Sequence, residues 1–468
     1  MFCKGKTALE SFFNGFAHLF RVVLFAGFAL TACGNTVELT VLASADLHGN
    51  SEQIRKAVAP AVKNIFQQAP GRVIYVDAGD CAQGSLKILR SRGMGILPEL
   101  YRAGCSIFVP GNHELEFGFE AFKNIVRDFP GTVLAANLYA PELDGSFKDF
   151  VIVEMSGVKI AFIGLMLKNM QNAFPVEETR FRTLPGAAVL RRSVNRVLAE
   201  KADVIVLVRH AGKYGGGENT YDLVKHVPEI DLVIGAHTHL PDAGSMVGRS
   251  WYVQPPAHGK ALVKINLIFD RKLKRVKQIK SSLLPLPQYR KIDSEELAAA
   301  PSIRGKNLDY PAEKIAEKFN ADLALYAVSS PAKLQALLHN PAPTQGDYYE
   351  VFPYFDPIIT VRVSAGEFKV IASEYSKFLR KRKQYLAKKG FQVNMVRSQV
   401  RSVTVDKNKE SYTLALSAYA AAGAGGNLPD TARLLKSKIN HRQAENTPGI
   451  WEIVCEQSFL PGKIEDLH

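Results

Sequence analysis

Seven short apolar runs in the first half of the chain constrain the fold more than any other feature. They are VELTVLAS (37–44), RVIYVDAG (72–79), SIFVPG (106–111), TVLAANL (132–138), KIAFIGLM (159–166), DVIVLVRH (203–210) and DLVIGAH (231–237). All are rich in Val and Ile and too short for helices, so they read as buried strands. Helical stretches such as 51–68 and 187–201 lie between several of them. Pro60 is expected to kink the first of these helices. Strands alternating with helices argue for an α/β layered fold. The later segments SWYVQPPA, LVKINLIFD and KRVKQIKSSLL read as an antiparallel finish.

Polar residues collect where these strands end. Asp46 and His48 follow the first run, Asp80 the second, and Asn112 and His113 the third, in GNHELEFG (111–118). His210 closes a later run, and His237 and His239 follow another. In open parallel sheets, ligands sit outside the carboxyl ends of strands. Glycines accompany every one of these turns and permit close backbone approach. Each residue alone is weak evidence, since a polar turn or a lone histidine is usually structural. Asp46, His48, Asp80, Asn112, His210, His237 and His239 in this order are a specific set. Imidazole with carboxylate suits Zn²⁺, Mn²⁺ or Fe²⁺. Seven ligands are too many for one tetrahedral ion but natural for two sharing a carboxylate, which can clamp an in-line displacement.

SADLHGN, GDCAQGS, GNHELEFG, VRHAG and GAHTH resemble, in order, the motif blocks of the calcineurin-like metallophosphoesterases. The branch resembled is the secreted 5′-nucleotidases, with UDP-sugar hydrolases and 2′,3′-cyclic-nucleotide phosphodiesterases. The resemblance is clear over 37–286 and fainter beyond. It implies a four-layer αββα sandwich followed by a second, smaller α/β domain. It also implies one metal on Asp46, His48, Asp80 and His239, and another on Asp80, Asn112, His210 and His237, with Asp80 bridging. His113 would face the phosphate, stabilising developing charge or protonating the leaving oxygen. Glu114 would tie the loop by hydrogen bonding. Glu116 stands where the family usually has Asp, as the partner that orients His113.

Four prolines between short helical pieces over 285–312 mark 287–312 as a connector between a domain at 36–286 and another at 313–468. By resemblance the second domain supplies specificity. VFPYFDPIITVRVSAGEF places Tyr354 as one ring stacking on a base, and Asp356 where an Asn would contact it. SAYAAAGAGGNLP offers Tyr419 as the second ring, with Asn427 replacing an Asp. The family's glycine- and arginine-bearing loop is replaced by AVSSPAKLQALLH, where Lys333 brings only a point charge.

The N-terminus has its own signature. Lys4, Lys6 and Arg21 precede an apolar run, 22–32, too short to span a bilayer. Leu30-Thr31-Ala32-Cys33-Gly34 resembles a bacterial lipobox, so 1–33 is expected to be a lipoprotein signal ending at a lipidated Cys33. Glu10 and the long stretch before the run point to a start downstream of Met1. The expected location is extracytoplasmic, with the outer membrane or periplasm favoured and the membrane reached through the lipid. Cys81, Cys105 and Cys455 remain, an odd number that gives no disulfide framework.

The formal charge is +14; the leader's three basic residues and one acid carry +2 of it, leaving +12. That balance favours an anionic partner, here a small phosphoester, most readily a nucleotide; nucleic acid is not expected. Much of the charge lies in 377–401, read as a solvated helix face. The rival readings are a metal- or ligand-binding lipoprotein that has lost turnover, and a dinuclear hydrolase of a non-nucleotide substrate.

Overall fold

A computed structural model describes residues 35–170, 174, 176–215, 218–289, 296–396, 399–405 and 409–456. Cys33, the rest of the expected signal segment and part of the expected connector lie outside the described residues. Among the described residues, no helix is long and apolar enough to cross a membrane.

The apolar runs become strands of two six-stranded sheets. In the first, the order is Arg275–Pro285, Ala261–Asp270, Thr36–Ser44, Val73–Asp77, Cys105–Phe108, Thr132–Val133. In the second, it is Asp242–Val247, Ser250–Gln254, Leu232–Ile234, Val204–Arg209, Val158–Leu165, Phe150–Met155. Side chains alternate across a strand, so each sheet buries both faces. Val41, Ala43, Ile74 and Val76 meet Phe162, Val206, Val208 and Ile234 between the sheets. Leu42, Tyr75 and Phe108 point outward into a core shared with the helices Ala59–Gln68, Ile96–Arg102 and Phe119–Asp128. Ile163, Ile205 and Leu207 do the same beneath Gly186–Ala199. The result is the four-layer αββα sandwich.

Three local expectations are corrected. TVLAANL is not one strand: only Thr132–Val133 and Leu138–Tyr139 are extended, in different sheets. Between them Asn137 is buried, its side chain bonded to the backbone N–H and carbonyl of Met166. Ser250–Gln254 is antiparallel to Asp242–Val247 but parallel to Leu232–Ile234, so the antiparallel finish begins only with Ala261–Asp270. Pro60 does not break its helix. It sits in the first turn of Ala59–Gln68, directly after a π-helical turn, Ile54–Val58, which absorbs the mismatch.

The second half is built on a four-stranded sheet ordered Ile358–Ser364, Ser411–Ser417, Leu323–Val328, Tyr385–Lys389. Ser364 and Glu367 form a reciprocal capping box that starts the helix Ala365–Lys381. The basic stretch is not one helix face. RKRK ends that helix and enters a turn, and Lys388 and Lys389 lie in a strand.

Candidate dinuclear metal centre

The strand ends deliver their polar residues to one edge of the sandwich. Asp46, His48 and His239 each offer a ligand atom within 4.8 Å of the others, and so do Asp80, His210 and His237. Five of these six, all but His210, have positive φ: 53° at Asp46, 47° at His48, 60° at Asp80, 73° at His237 and 58° at His239. Such backbone costs roughly 1–3 kcal/mol per residue and clusters at functional sites.

Hydrogen bonds aim the imidazoles. His210 Nδ1 lies 2.6 Å from the Ala78 carbonyl, which only accepts, so this nitrogen carries the proton. Nε2 then faces Asp80 Oδ2 at 3.1 Å. His48 Nδ1 lies 2.9 Å from Gln83 Oε1, and its Nε2 lies 2.9 Å from His239 Nε2. Asp46 accepts the His237 backbone N–H on both carboxylate oxygens at 3.1 Å. Gly111 packs so tightly here that a Cβ would sit 2.2 Å from Asp80 Oδ1 and 2.6 Å from His210 Cε1.

This cradle fits two divalent ions. Metal-bound histidines donate their outer N–H to an acceptor, as His48 and His210 do. The buried Oδ1 of Asn112 has no hydrogen-bond partner, and the buried Nε2 of His210 faces only Asp80. Two imidazole nitrogens facing each other across 2.9 Å are also better served by a shared cation than by each other.

The electrostatics agree. Burial pushes His48 down to about 3, and burial with the His210 charge takes His237 down to about 4, so both present lone pairs at neutral pH. Burial raises Asp46 to about 7 against the pull of His210. Burial also opposes ionisation of Asp80, yet His210 and His113 hold its carboxyl well below the usual range. Burial likewise disfavours charge on His210 and His113, but Asp80 outweighs it and lifts them to about 10 and 9, with Glu116 helping at His113. Protons therefore balance the carboxylates, and a cation would displace the one on His210.

The loop after Cys105–Phe108 answers for GNHELEFG. Glu114 is fully buried and accepts four backbone N–H groups, from Asp80 at 3.0 Å, Cys81 at 2.7 Å, Ala82 at 2.9 Å and Gly111 at 2.6 Å. It thus ties the Asp80 turn to the Asn112 turn. His113 Nε2 lies 4.0 Å from Asp80 Oδ2, and its Nδ1 lies 2.6 Å from Glu116 Oε2.

Of the second-half candidates, Tyr354 comes to the metal edge: its ring lies parallel to His113 at 6.0 Å. Tyr354 and Tyr419 are 44% and 37% exposed, so both present ring surface to solvent. Asp356 lies between them in sequence and space, bonded to Ser417, Tyr326 and the Tyr419 backbone, and burial raises its carboxyl to about 7. Asn427 is exposed and turns its amide back onto the Ala424 carbonyl at 2.7 Å. Lys333 pairs with Glu350 on the helix Pro331–His339. Cys81, Cys105 and Cys455 are buried and unbridged.

Sequence reading missed Gln83 and His258. The His258 ring lies 5.2 Å from that of His48 and 5.7 Å from that of His239, on backbone with φ 61°. Its signal was the turn PPAHG directly after the strand Ser250–Gln254, a strand end that the reading of ligand positions did not use.

Two face-packed sheets whose strand ends bring two Asp/His triads to one edge have the architecture of a dinuclear-metal hydrolase. The calcineurin-like phosphoesterase family model matches residues 39–241, so the sandwich is a calcineurin-like phosphoesterase domain. A 5′-nucleotidase assignment attaches to a Treponema pallidum protein 27% identical over 292 residues, 52% of this chain and 48% of that protein. The chain thus spans about half the length of that relative. The fold matches a Thermus thermophilus 5′-nucleotidase precursor with a TM-score of 0.63, at 17% identity over 90% of this chain and 96% of the other. It matches a Staphylococcus aureus protein in the 5′-nucleotidase group, solved with alpha-ketoglutarate, with a TM-score of 0.70, at 16% identity and the same coverage.

Proposed function

We propose that this chain hydrolyses phosphate monoesters or diesters of nucleotides outside the cytoplasm, with two divalent ions as cofactors and a lipid on Cys33 holding it at the membrane. The observation that carries the chemistry is the pair of triads, Asp46–His48–His239 and Asp80–His210–His237, set side by side. Asn112 would help hold an ion at the second triad, and Asp80 would serve both ions. When bound, the ions supply Lewis acidity and lower the pKa of the attacking water.

The chain's own groups do the rest. His113, held on Nδ1 by Glu116, presents Nε2 toward the reacting phosphoryl group. Asp80 and Glu116 favour its protonated form, in which it donates a hydrogen bond to a phosphoryl oxygen or a proton to the leaving oxygen. The exposed rings of Tyr354 and Tyr419 support a nucleotide by base stacking. Asp356 adds an acceptor beside them, and Asn427, by resemblance a substrate-side residue, closes its own turn on Ala424.

The test is hydrolysis by the full chain loaded with Zn²⁺ or Mn²⁺ of AMP, ATP, 2′,3′-cyclic AMP, UDP-glucose and p-nitrophenyl phosphate, with Asp80→Ala as control. Nucleotide turnover absent in the control is the expected result. Turnover of aryl phosphate alone would discard the nucleotide assignment. No turnover with both ions bound would sink the phosphoesterase reading.

A further inference from the structure

Three backbone positions of the second half, Pro353, Tyr354 and Phe355, touch the metal edge, and each touches a different part of it. Gln83 Nε2 donates to the Pro353 carbonyl at 3.1 Å. The Phe355 N–H donates to Glu116 Oε1 at 2.9 Å. Between them the Tyr354 ring lies 9° from parallel with His113. We propose that Pro353–Phe355 is a positioning element of the catalytic centre, acting on His48 through Gln83 and on His113 through Glu116.

The first arm works through proton bookkeeping. An amide offers an acceptor at one end and a donor at the other. Pro353 presents only a carbonyl, so it takes the NH₂ end of Gln83 and turns Oε1 toward His48. His48 Nδ1, at 2.9 Å, must then be the protonated nitrogen, which leaves Nε2 as a lone pair directed at His239 and the metal position. Without Pro353, Gln83 is free to flip, and the tautomer of His48 is no longer dictated.

The second arm depends on one methylene. Glu116 uses both carboxylate oxygens, Oε2 on His113 Nδ1 at 2.6 Å and Oε1 on the Phe355 amide. An aspartate has a shorter reach and can keep the histidine or the amide, not both. Glu116 is therefore the residue that ties the histidine to the second half in this chain. The segment is well anchored for the task. The Phe355 side chain is buried, with Phe117 at 5.4 Å and the Arg92 guanidinium over its ring at 5.0 Å, and its carbonyl accepts the Ile450 N–H at 3.1 Å.

This inference rests on the phosphoesterase reading for its effect on rate but not for its geometry, so the test reads both. In the full chain, Glu116→Asp and Gln83→Leu would be compared with wild type. The measurements are Mn²⁺ titration calorimetry, amide exchange of 354–356, and p-nitrophenyl phosphate kinetics. Glu116→Asp is expected to speed exchange of the Phe355 amide and lower kcat about tenfold with KM unchanged, a part of the roughly 10²–10⁴-fold that a general acid contributes. Gln83→Leu is expected to weaken one Mn²⁺ site about 10- to 100-fold, as loss of a ligand's outer partner does. Unchanged Phe355 exchange in Glu116→Asp, or unchanged Mn²⁺ affinity in Gln83→Leu, would overturn the corresponding arm. If wild type binds Mn²⁺ but hydrolyses nothing, the phosphoesterase reading fails, while exchange and affinity still decide this one.

Discussion

Replacing Glu114 tests whether one buried carboxylate holds the two ligand turns together. Its Oε1 accepts from Cys81 and Ala82, and its Oε2 from Asp80 and Gly111. Burial and the Asp80 charge push its carboxyl up, while the N–H bonds and the His210 charge pull it down. Glu114→Ala strands four buried N–H groups at once. At about 1 kcal/mol each, the low end for an unsatisfied buried donor, the loss is about 4 kcal/mol. For a domain of this size that lowers the melting temperature by about 8 °C or more. Glu114→Gln is the sharper test, because it keeps shape and volume. Its oxygen serves one pair of donors, and its NH₂ group faces the other pair, so about 2 kcal/mol or more is lost despite the conserved volume. The assay is thermal unfolding of the metal-free full chain, followed by Mn²⁺ titration at a temperature where both variants are folded. Both should also bind Mn²⁺ more weakly, since Asp80 and Asn112 sit on the released turns. A Glu114→Gln protein melting within about 1 °C of wild type would refute the account, because such a shift is worth less than one hydrogen bond.

Chelation should lower the melting temperature, and Mn²⁺ at a hundred times its dissociation constant should restore about 2.7 kcal/mol. In the metal-free chain His113 and His210 titrate near 9 and 10, against an unfolded histidine near 6.5. Their contribution is fully present below about 6.5 and is lost as pH rises through 9 to 10. Melting temperature should therefore fall from pH 7 to 10 without metal and less steeply in Asp80→Asn; a flat profile would contradict these assignments. Gly111→Ala puts a methyl onto Asp80 and His210, and should abolish tight Mn²⁺ binding; wild-type affinity would show that the cradle can widen. Tyr354→Ala and Tyr419→Ala should each raise KM for AMP about fivefold or more, the low end of a lost stacking contact, and leave KM for p-nitrophenyl phosphate nearly unchanged. Equal losses on both substrates would remove the stacking role.

The sequence by itself determined most of the strands and the candidate ligand positions, and for the same reason. A strand buried on both faces must be a short Val- and Ile-rich run, and its end is where a polar residue next becomes tolerable. Asp46, Asp80, Asn112, His210 and His237 are therefore visible as punctuation after Ser44, Asp77, Phe108, Arg209 and Ile234. The short extent of TVLAANL was not legible, because Asn137 is stabilised by bonds to Met166, a partner 29 residues away. The parallel pairing of Ser250–Gln254 was likewise hidden, since local alternation does not say which neighbour a strand joins. Tertiary structure alone decided what supports the ligands. Gln83 and Glu116 are ordinary polar residues until the chain brings Pro353 and Phe355 to them from 270 and 239 positions away. Hydrogen bonds at that separation leave no period in the sequence, and only the folded chain closes them.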